Sequence, residues 1–392
     1  MGKSITFVLV IMCIDLYALI LFTSRFMLDI LYYFAIISCL IMGVVLLLIR
    51  TTPTLQDKHY RVTKRFLGVA SIIVAVGEAV ILLKKGSGLE VEMFSAPVLI
   101  IAQLQAALFT FAVLTLFHSR KVNQRYILKC LIPTFVFAPL YALSVILFSD
   151  VNTHSIEEHL SNLTNPSLVL RTIFGVVYLV QIAIYVRLFR RERKIYIAKI
   201  ENYFSDTDSY KLNWATRLFY EATGLGLVVF VFSMFPHMVF DAVLTVAIAC
   251  IYIIFAVEYI NYQYRLYYAL PAVKDEPEKV ESVVAQQKDP SLEEAIAKHP
   301  LFLKQGVVLA DYASALDITE RKFSSYINST YGVNFNRWIN LQRVEYAKKL
   351  AVENPELNIE LIAEKSGFAN KSHFSRTFKE IEGVLFIEHK NT

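Results

Sequence analysis

Charged residues and enzyme motifs are what this sequence most clearly lacks. Only 19% of its 392 residues are charged and 56% are hydrophobic, and the mean hydropathy is +0.48. A composition this apolar is not that of an ordinary soluble protein and indicates a chain that is partly embedded in a membrane. The sequence has no Walker loop, no Gly-x-Ser-x-Gly and no His-Glu-x-x-His motif. Nothing in it therefore indicates an enzyme.

Cysteine is also scarce. The four cysteines all lie inside apolar runs, and no two of them form a Cys-x-x-Cys pair; they are Cys13, Cys39, Cys130 and Cys250. This pattern excludes a framework of disulfides or zinc ligands, so we expect buried free thiols. The sequence predicts no cofactor and no metal site.

The apolar residues are concentrated in residues 1–260. A spanning helix needs about 20 mostly apolar residues, and eight stretches qualify: 5–23, 30–49, 66–83, 97–117, 130–148, 168–189, 218–235 and 238–258. Only Pro236 and His237 separate the last two, so seven spans is the alternative. The first stretch follows Lys3, as in a signal peptide, but its length, Asp15 and the absence of a small-x-small cleavage site favour a retained helix.

The charges of the loops predict the orientation. Lys and Arg are abundant in the loops 50–65, 118–129 and 187–217, whereas the loop 149–167 has neither. Because Lys and Arg remain on the cytoplasmic side, eight spans with both termini in the cytoplasm fit this alternation. We therefore expect a multi-pass protein of the cytoplasmic membrane, with its C-terminal part in the cytoplasm.

Several ionisable residues fall inside the predicted spans; those nearest the outer leaflet or the membrane centre are Asp15, Glu78, Arg171 and Asp241. Charges at this depth are costly and usually face the interior of a bundle or a water-filled cavity. One interpretation is an outward-facing pocket for a polar ligand, with Asp15 and Glu78 the deepest candidates. The alternative is that these residues pair with each other or lie at headgroup depth.

The segment 261–290 separates the apolar part from the rest. Amphipathic tyrosine rings settle at the headgroup level, and six tyrosines near the end of the last apolar stretch predict an interfacial belt ended by Pro271: Tyr252, Tyr259, Tyr262, Tyr264, Tyr267 and Tyr268. Residues 271–290 are polar and bounded by proline, as in a tether. The predicted domains are a transmembrane sensor domain (1–260), an interfacial segment and cytoplasmic linker (261–290), and a soluble helical domain (291–392).

The soluble part contains one pattern twice. Residues 306–332 and residues 357–383 each predict a helix, a short turn and a second helix, and a longer helix over about 335–352 joins the two units. The second helices have polar N-caps and glycine stops, which are Thr319 with Gly332 and Asn370 with Gly383. Helix, turn, helix is the geometry of many DNA-binding proteins. The predicted fold class is all-α: a helical membrane bundle of about eight spans followed by this helical domain.

The second unit carries a recognisable signature. Residues 362–379, IAEKSGFANKSHFSRTFK, resemble the pattern I-A-x-x-x-G-F-x-x-x-x-x-F-x-x-x-F-[KR] of the AraC/XylS family of transcriptional activators, and Gly383 matches the glycine that follows it. The resemblance implies a DNA-binding domain with two helix-turn-helix units, and its combination with many spans resembles membrane-tethered relatives of that family. Two positions depart from the pattern: Phe386 stands where the family usually has proline, and Asp317 replaces the first turn glycine. Because of the departure at Phe386, the sequence does not decide whether the last short helix of the family forms here.

The residues that contact DNA are predicted on the second helix of each unit. Residues 291–392 contain 13 Lys or Arg and 13 Asp or Glu, yet Lys365–Lys379 has four basic residues and no acid. The predicted contacts are Arg321, Lys322 and Ser325 in the first unit and Lys371, Ser372, His373 and Arg376 in the second. Arginine can pair with guanine in the major groove. The alternative is that residues such as Lys371 and Lys379 meet only phosphates or solvent.

These patterns predict a membrane-tethered one-component transcription regulator that senses a signal through its membrane domain. The alternative is a membrane transporter or receptor whose helical cytoplasmic tail binds protein partners. The expected partners are double-stranded DNA, the lipid bilayer and the transcription machinery. A second copy of the chain and an unknown small-molecule or envelope signal are further candidates.

Overall fold

A computed structural model describes residues 26–50, 58–86, 93–119, 124–235, 238–273 and 289–390. Within these ranges the regular secondary structure is helical, as predicted, apart from one isolated antiparallel bridge between Phe204 and Val308. The chain divides into two compact units. The first comprises Met1–Glu192 with Asn213–Gln263, and the second comprises Arg193–Leu212 with Tyr264–Thr392. Residues 193–212 thus belong with the C-terminal part, although they precede two apolar helices in sequence.

Seven described helices are long and apolar enough to cross a membrane. They lie within α1 Phe26–Leu48, α2 Lys58–Gly86, α3 Ala96–Leu116, α4 Gln124–Phe148, α6 Pro166–Tyr203, α7 Asn213–Phe232 and α8 Met238–Val273, while α5 Ile156–Ser161 is short. Seven of the eight predicted stretches are therefore accounted for, and the stretch 5–23 lies outside the described residues. The two stretches beside Pro236 and His237 form separate helices, and α8 continues two residues beyond Pro271.

Small residues bring α1 and α2 close together. A Cβ added to Gly43 would lie 2.9 Å from the Gly68 carbonyl oxygen, and one added to Gly68 would lie 3.1 Å from the Gly43 carbonyl oxygen. Ser71 donates a 2.7 Å hydrogen bond to the Cys39 carbonyl oxygen. Helices in a membrane associate through such close backbone approach and polar contacts, because lipid tails are as apolar as leucine.

A buried amide network joins α3, α4 and α6. The Gln103 side chain is fully buried; it accepts a 3.1 Å hydrogen bond from Thr134 and donates one to Gln181. Gln181 in turn donates a 3.1 Å bond to the Cys130 carbonyl oxygen. An amide without partners in an apolar interior is costly, so this network favours one arrangement of the three helices.

The predicted tyrosine belt is wrong for Tyr252, Tyr259 and Tyr262, which are buried. Tyr259 stacks on Tyr60 with 4.4 Å between ring centroids, and each hydroxyl donates to the backbone oxygen of the other residue. Helix packing, which a linear pattern does not show, determines the position of these rings. Of the other three, Tyr267 is exposed, as is Tyr268, while the Tyr264 side chain is outside the described residues.

The cysteine prediction is confirmed only in part. The described thiols are free, and Cys39 is buried, but Cys130 is half-buried and Cys250 is exposed. An apolar run in a membrane helix can face lipid instead of protein, so hydrophobic surroundings do not require burial by protein atoms. Cys13 lies outside the described residues.

The second compact unit of the chain contains seven further described helices and one 3-10 turn. They are α9 Pro290–Lys298, the turn Leu301–Leu303, α10 Leu309–Ala315, α11 Glu320–Tyr331, α12 Phe335–Glu353, α13 Ile359–Lys365, α14 Lys371–Glu382 and α15 Phe386–Lys390. These bounds lie within two residues of the predicted ones for the two helix pairs and the long joining helix. Whether the domain boundaries at 260 and 290 delimit independently folding parts stays a prediction.

Candidate nucleic-acid interface

The first helix-turn-helix unit is formed by α10 and α11. The turn between them contains Asp317 in the left-handed region, at φ 51°. The Thr319 side chain accepts a hydrogen bond from the Lys322 backbone N–H, which caps α11, and Gly332 ends α11 with φ 68°. Both ends of α11 are thus set by short-range signals, as the sequence predicts.

The second helix-turn-helix unit consists of α13 and α14 and has the same construction. Gly367 occupies the turn with φ 83°, and Asn370 caps α14 by accepting a 2.8 Å hydrogen bond from the His373 N–H. Gly383 ends α14 with φ 80°. The inner faces of both helices are buried, with Ile362, Ala363, Phe374 and Phe378 in one core.

The long helix α12 contributes to the cores of both units. Trp338 and Ile339 pack with the first unit, whereas Val344 and Ala347 pack with the second. One helix therefore holds both units in a fixed relation, because its two ends are buried in different cores.

Arg343, in the middle of α12, is buried although it is charged. Its guanidinium donates to the carbonyl oxygens of Phe302 and Lys304 at 2.7 and 2.9 Å, and lies over the Phe368 ring, 5.5 Å from the centroid. Burial lowers the pKa of Arg343 to about 10. This residue connects the turn at 301–303 to the second unit, a structural role that the sequence pattern alone does not show.

The predicted DNA contacts lie on the outer sides of α11 and α14. Arg321 and Lys322 are exposed in the first turn of α11, and Ser325 is half-buried. On α14 the predicted contacts are exposed or half-buried, and they are Lys371, Ser372, His373 and Arg376. Cationic and hydroxyl groups therefore share the outer side of the second helix in each unit; their contact with DNA stays a prediction.

Two of the α14 side chains already have acidic partners. Lys371 contacts Glu360 of α13 at 2.7 Å, and Arg376 contacts Asp208 at 2.5 Å. Partial burial raises the pKa of Asp208, but the hydrogen bond and positive charge of Arg376 outweigh it and hold that pKa below its ordinary value. The same hydrogen bond raises the pKa of Arg376. Both groups of the Asp208–Arg376 pair therefore remain charged at neutral pH.

Asp208 belongs to residues 204–212, here called the acidic loop, which joins α6 to α7. Asp206, Asp208 and Ser209 line one cleft together with residues of α14 and its cap, which are Asn370, Ser372, His373 and Arg376. The order of residues does not by itself place the acidic loop beside α14. The available signal was the occurrence of Asp206 and Asp208 within 187–217, a segment that contains eight Lys or Arg.

Comparison with known proteins agrees with this geometry. Residues 312–391 match a family model described as helix-turn-helix domain. These residues form an AraC-type helix-turn-helix domain. The regulatory protein PocR of Salmonella typhimurium (strain LT2) is 27% identical over 112 residues, which are 28% of this chain and 37% of PocR. The chain thus spans little more than a third of that relative. No solved structure matches the chain.

The AraC-type domain and its relative support a DNA-binding transcription regulator. The departure at Phe386 does not remove the last helix, because α15 begins at this residue. Phe386 is buried, with its ring centroid 4.9 Å from that of Phe374 and 5.1 Å from that of Phe378. An aromatic ring at this position fills the end of the second core, where it is surrounded by other aromatic rings.

The predicted sensor residues have different surroundings. Glu78 of α2 is buried and accepts a 3.1 Å hydrogen bond from Thr245 of α8, one turn after Asp241. Arg171 of α6 is fully buried and lies 3.5 Å from Asp150, so its observed acidic contact is a loop residue outside the predicted spans. Asp15 lies outside the described residues.

The apolar part also contains a cleft between α3, α6, α7 and α8. None of Glu78, Arg171 and Asp241 is among its lining residues, which include three tyrosines: Tyr178, Tyr185 and Tyr252. The cleft is mostly apolar, with hydroxyl and amide groups at a few positions. A cleft of this composition suits an apolar molecule that has one or two polar groups.

Proposed function

We propose that this protein is a membrane-tethered one-component transcription regulator. The apolar unit senses a signal, and the AraC-type domain binds DNA sequence-specifically through α11 and α14. The supporting observation is that the described part of the chain combines seven helices apolar enough to span a membrane with two capped helices, α11 and α14, whose outer sides carry cations.

The chemistry of α11 and α14 supports sequence-specific binding. An arginine can donate two parallel hydrogen bonds to guanine, whereas lysine and serine contact phosphates or single acceptors. We therefore assign base contacts to Arg321 and Arg376. We assign supporting contacts to Lys322, Ser325, Lys371, Ser372 and His373. Because residues 291–392 have equal numbers of acids and bases, attraction depends on these local cations, not on the net charge.

The packing of residues 193–212 supports a cytoplasmic position for the DNA-binding domain. These residues belong to the same compact unit as the domain, so both lie on one side of a membrane. The segment 187–217 carries eight Lys or Arg and four acids, and such segments remain in the cytoplasm. We propose the cytoplasmic membrane as the location, with the lipid bilayer, DNA and the transcription machinery as partners and a second copy of the chain as a candidate partner.

For signal sensing, we favour the region of Glu78 and Asp241. A buried acid in a membrane helix is costly and is by default a candidate functional site, and the Thr245 bond ties Glu78 to the helix that carries Asp241. A small molecule or envelope component with a positive or hydrogen-donating group suits this chemistry. We assign Arg171 a structural role, because its contact with Asp150 holds the loop after α4.

Genome-wide crosslinking of the full-length protein to DNA in intact cells tests this function. Recovery of a small set of sites that share a sequence supports it. Arg321→Ala with Arg376→Ala should abolish that enrichment, whereas Lys349→Ala, which removes an exposed cation from α12, should retain it. Uniform or absent DNA recovery with normal membrane abundance would instead favour the alternative of a receptor whose tail binds proteins.

A further inference from the structure

The acidic loop is held against the DNA-binding domain by its backbone. Phe204 forms the antiparallel bridge with Val308, and the Ser205 N–H donates a 3.2 Å hydrogen bond to the Val307 carbonyl oxygen. The Asn336 side chain of α12 donates to the carbonyl oxygens of Phe204 and Ser205 at 3.3 and 2.7 Å. These bonds connect residues more than 100 positions apart in sequence, so they define a specific docked position.

The end of α6 strengthens this docking. Tyr203 packs against the core of the first helix-turn-helix unit. Asn334, the cap of α12, donates a 3.3 Å hydrogen bond to Glu201, and Glu201 also contacts Lys211 at 2.9 Å. The Tyr196 hydroxyl of α6 donates to the Tyr210 carbonyl oxygen at 2.7 Å, which ties the acidic loop to α6.

The docked loop places its acids where DNA would lie. Asp208 accepts a hydrogen bond from Arg376, and Asp206 and Ser209 line the same cleft as Ser372 and His373. Carboxylate oxygens bind arginine with the geometry that phosphate oxygens use. A duplex approaching α14 would meet two negative charges and lose the Arg376 contact.

The Asp208–Arg376 pair alone does not hold the loop. Asp208 is 51% and Arg376 60% exposed, and exposed ion pairs contribute little to stability. The backbone bridge and the Asn336 bonds position the loop, whereas the acids determine what the docked loop excludes. The two parts can therefore be tested separately.

We propose that the acidic loop is an intramolecular competitor of DNA for the outer side of α14. This inference rests on the proposed function and adds its regulation. When the loop is docked, its acids compete with DNA for the outer side of α14, so α11 binds DNA without α14; when the loop is released, both helices bind. Because the loop is continuous with α6 and α7, a signal that moves either helix has a direct covalent route to the α14 surface.

The test measures the dissociation constant of full-length protein in lipid nanodiscs for its own crosslinked DNA site. Asp206→Asn with Asp208→Asn removes the competing charges, and Asn336→Ala removes the anchor without changing any charge. If the docked form holds nine molecules in ten, complete release tightens binding about tenfold. Each change should therefore tighten binding measurably, by up to about tenfold. Glu356→Gln is the matched control, because Glu356 is an exposed acid of the same compact unit as the acidic loop. It should change binding by less than about twofold.

A crosslinked form provides the opposite result. Ser209→Cys with Ser372→Cys places a thiol on each side of the cleft. A disulfide between them should remove DNA protection by α14 until a reductant restores it. The competitor proposal is overturned if neither the charge variant nor the anchor variant binds DNA more tightly than the wild type and the disulfide leaves binding intact. The proposed function stands in that case. Absence of specific binding in the wild type and in every released variant overturns the proposed function and the competitor with it.

Discussion

Gly367 lies so close to Phe302 that a Cβ at its position would stand 2.5 Å from the Phe302 carbonyl oxygen. The glycine also has φ 83°, which favours glycine strongly. Gly367→Ala should therefore separate the second unit from the 301–303 turn and destabilise it by about 3 kcal/mol or more, because clash and backbone strain add. Hydrogen exchange of amides in α13 and α14 measures this loss, and unchanged protection there would contradict the observed packing.

Asp317 offers the matched experiment in the first unit. It has a positive φ of 51° without being glycine. Asp317→Gly should be neutral or stabilise the first unit by up to about 1 kcal/mol, since relief of left-handed strain exceeds the entropic cost of glycine. Faster hydrogen exchange in α10 and α11 after this change would contradict this expectation. It would show that the Asp317 side chain stabilises the first helix-turn-helix unit by more than its left-handed backbone conformation destabilises it.

The α12 arginines should differ sharply in their effect on stability. Arg343→Ala removes a buried side chain together with its two hydrogen bonds to backbone carbonyl oxygens. It should cost about 3 kcal/mol, because the packing and both bonds are lost. Arg337→Ala removes only an exposed contact with Glu380 at 3.3 Å and should cost less than about 1 kcal/mol. Equal effects in pulse proteolysis of the full chain would argue against the structural role of Arg343.

Short-range signals explain what could be predicted from sequence. The caps Thr319 and Asn370 and the stops Gly332 and Gly383 act within one helical turn, so each helix end was visible in the order of residues. The docking of Asn336 on Phe204 and Ser205 spans about 130 positions and has no periodic pattern. The partners of Arg343 and Arg376 likewise depend on tertiary packing, which composition does not show.

The topology can be tested with reporter fusions. Fusions within 155–165 should report an external position, and fusions at 120, 200 and 275 should report the cytoplasm, because basic loops are retained inside. The fusion at 200 carries the most weight, since residues 193–212 belong to the same unit as the DNA-binding domain. An internal signal from 155–165 would contradict the orientation.

The sensing proposal predicts a separation of signalling from DNA binding. Glu78→Leu, or Asp15→Leu, should change the response of target genes to the inducing condition while crosslinking to DNA persists. Glu221→Leu, an acid of α7 that is 50% exposed, is the control and should retain the response. If all three variants respond as wild type does, the signal is recognised elsewhere, and Tyr178→Phe would test the apolar cleft next.

DNase footprinting of the full-length protein on its crosslinked site, with Arg321→Ala and Arg376→Ala compared, tests the central claim most directly. Two recognition helices fixed by α12 should enter major-groove segments about 34 Å apart and protect close to two turns of DNA. Each substitution should cost about 1–3 kcal/mol and relax base preference at its own position only. With the acidic loop released by Asp206→Asn and Asp208→Asn, protection of a single turn would contradict the account. So would Arg321→Ala and Arg376→Ala variants that bind every sequence as the wild type does.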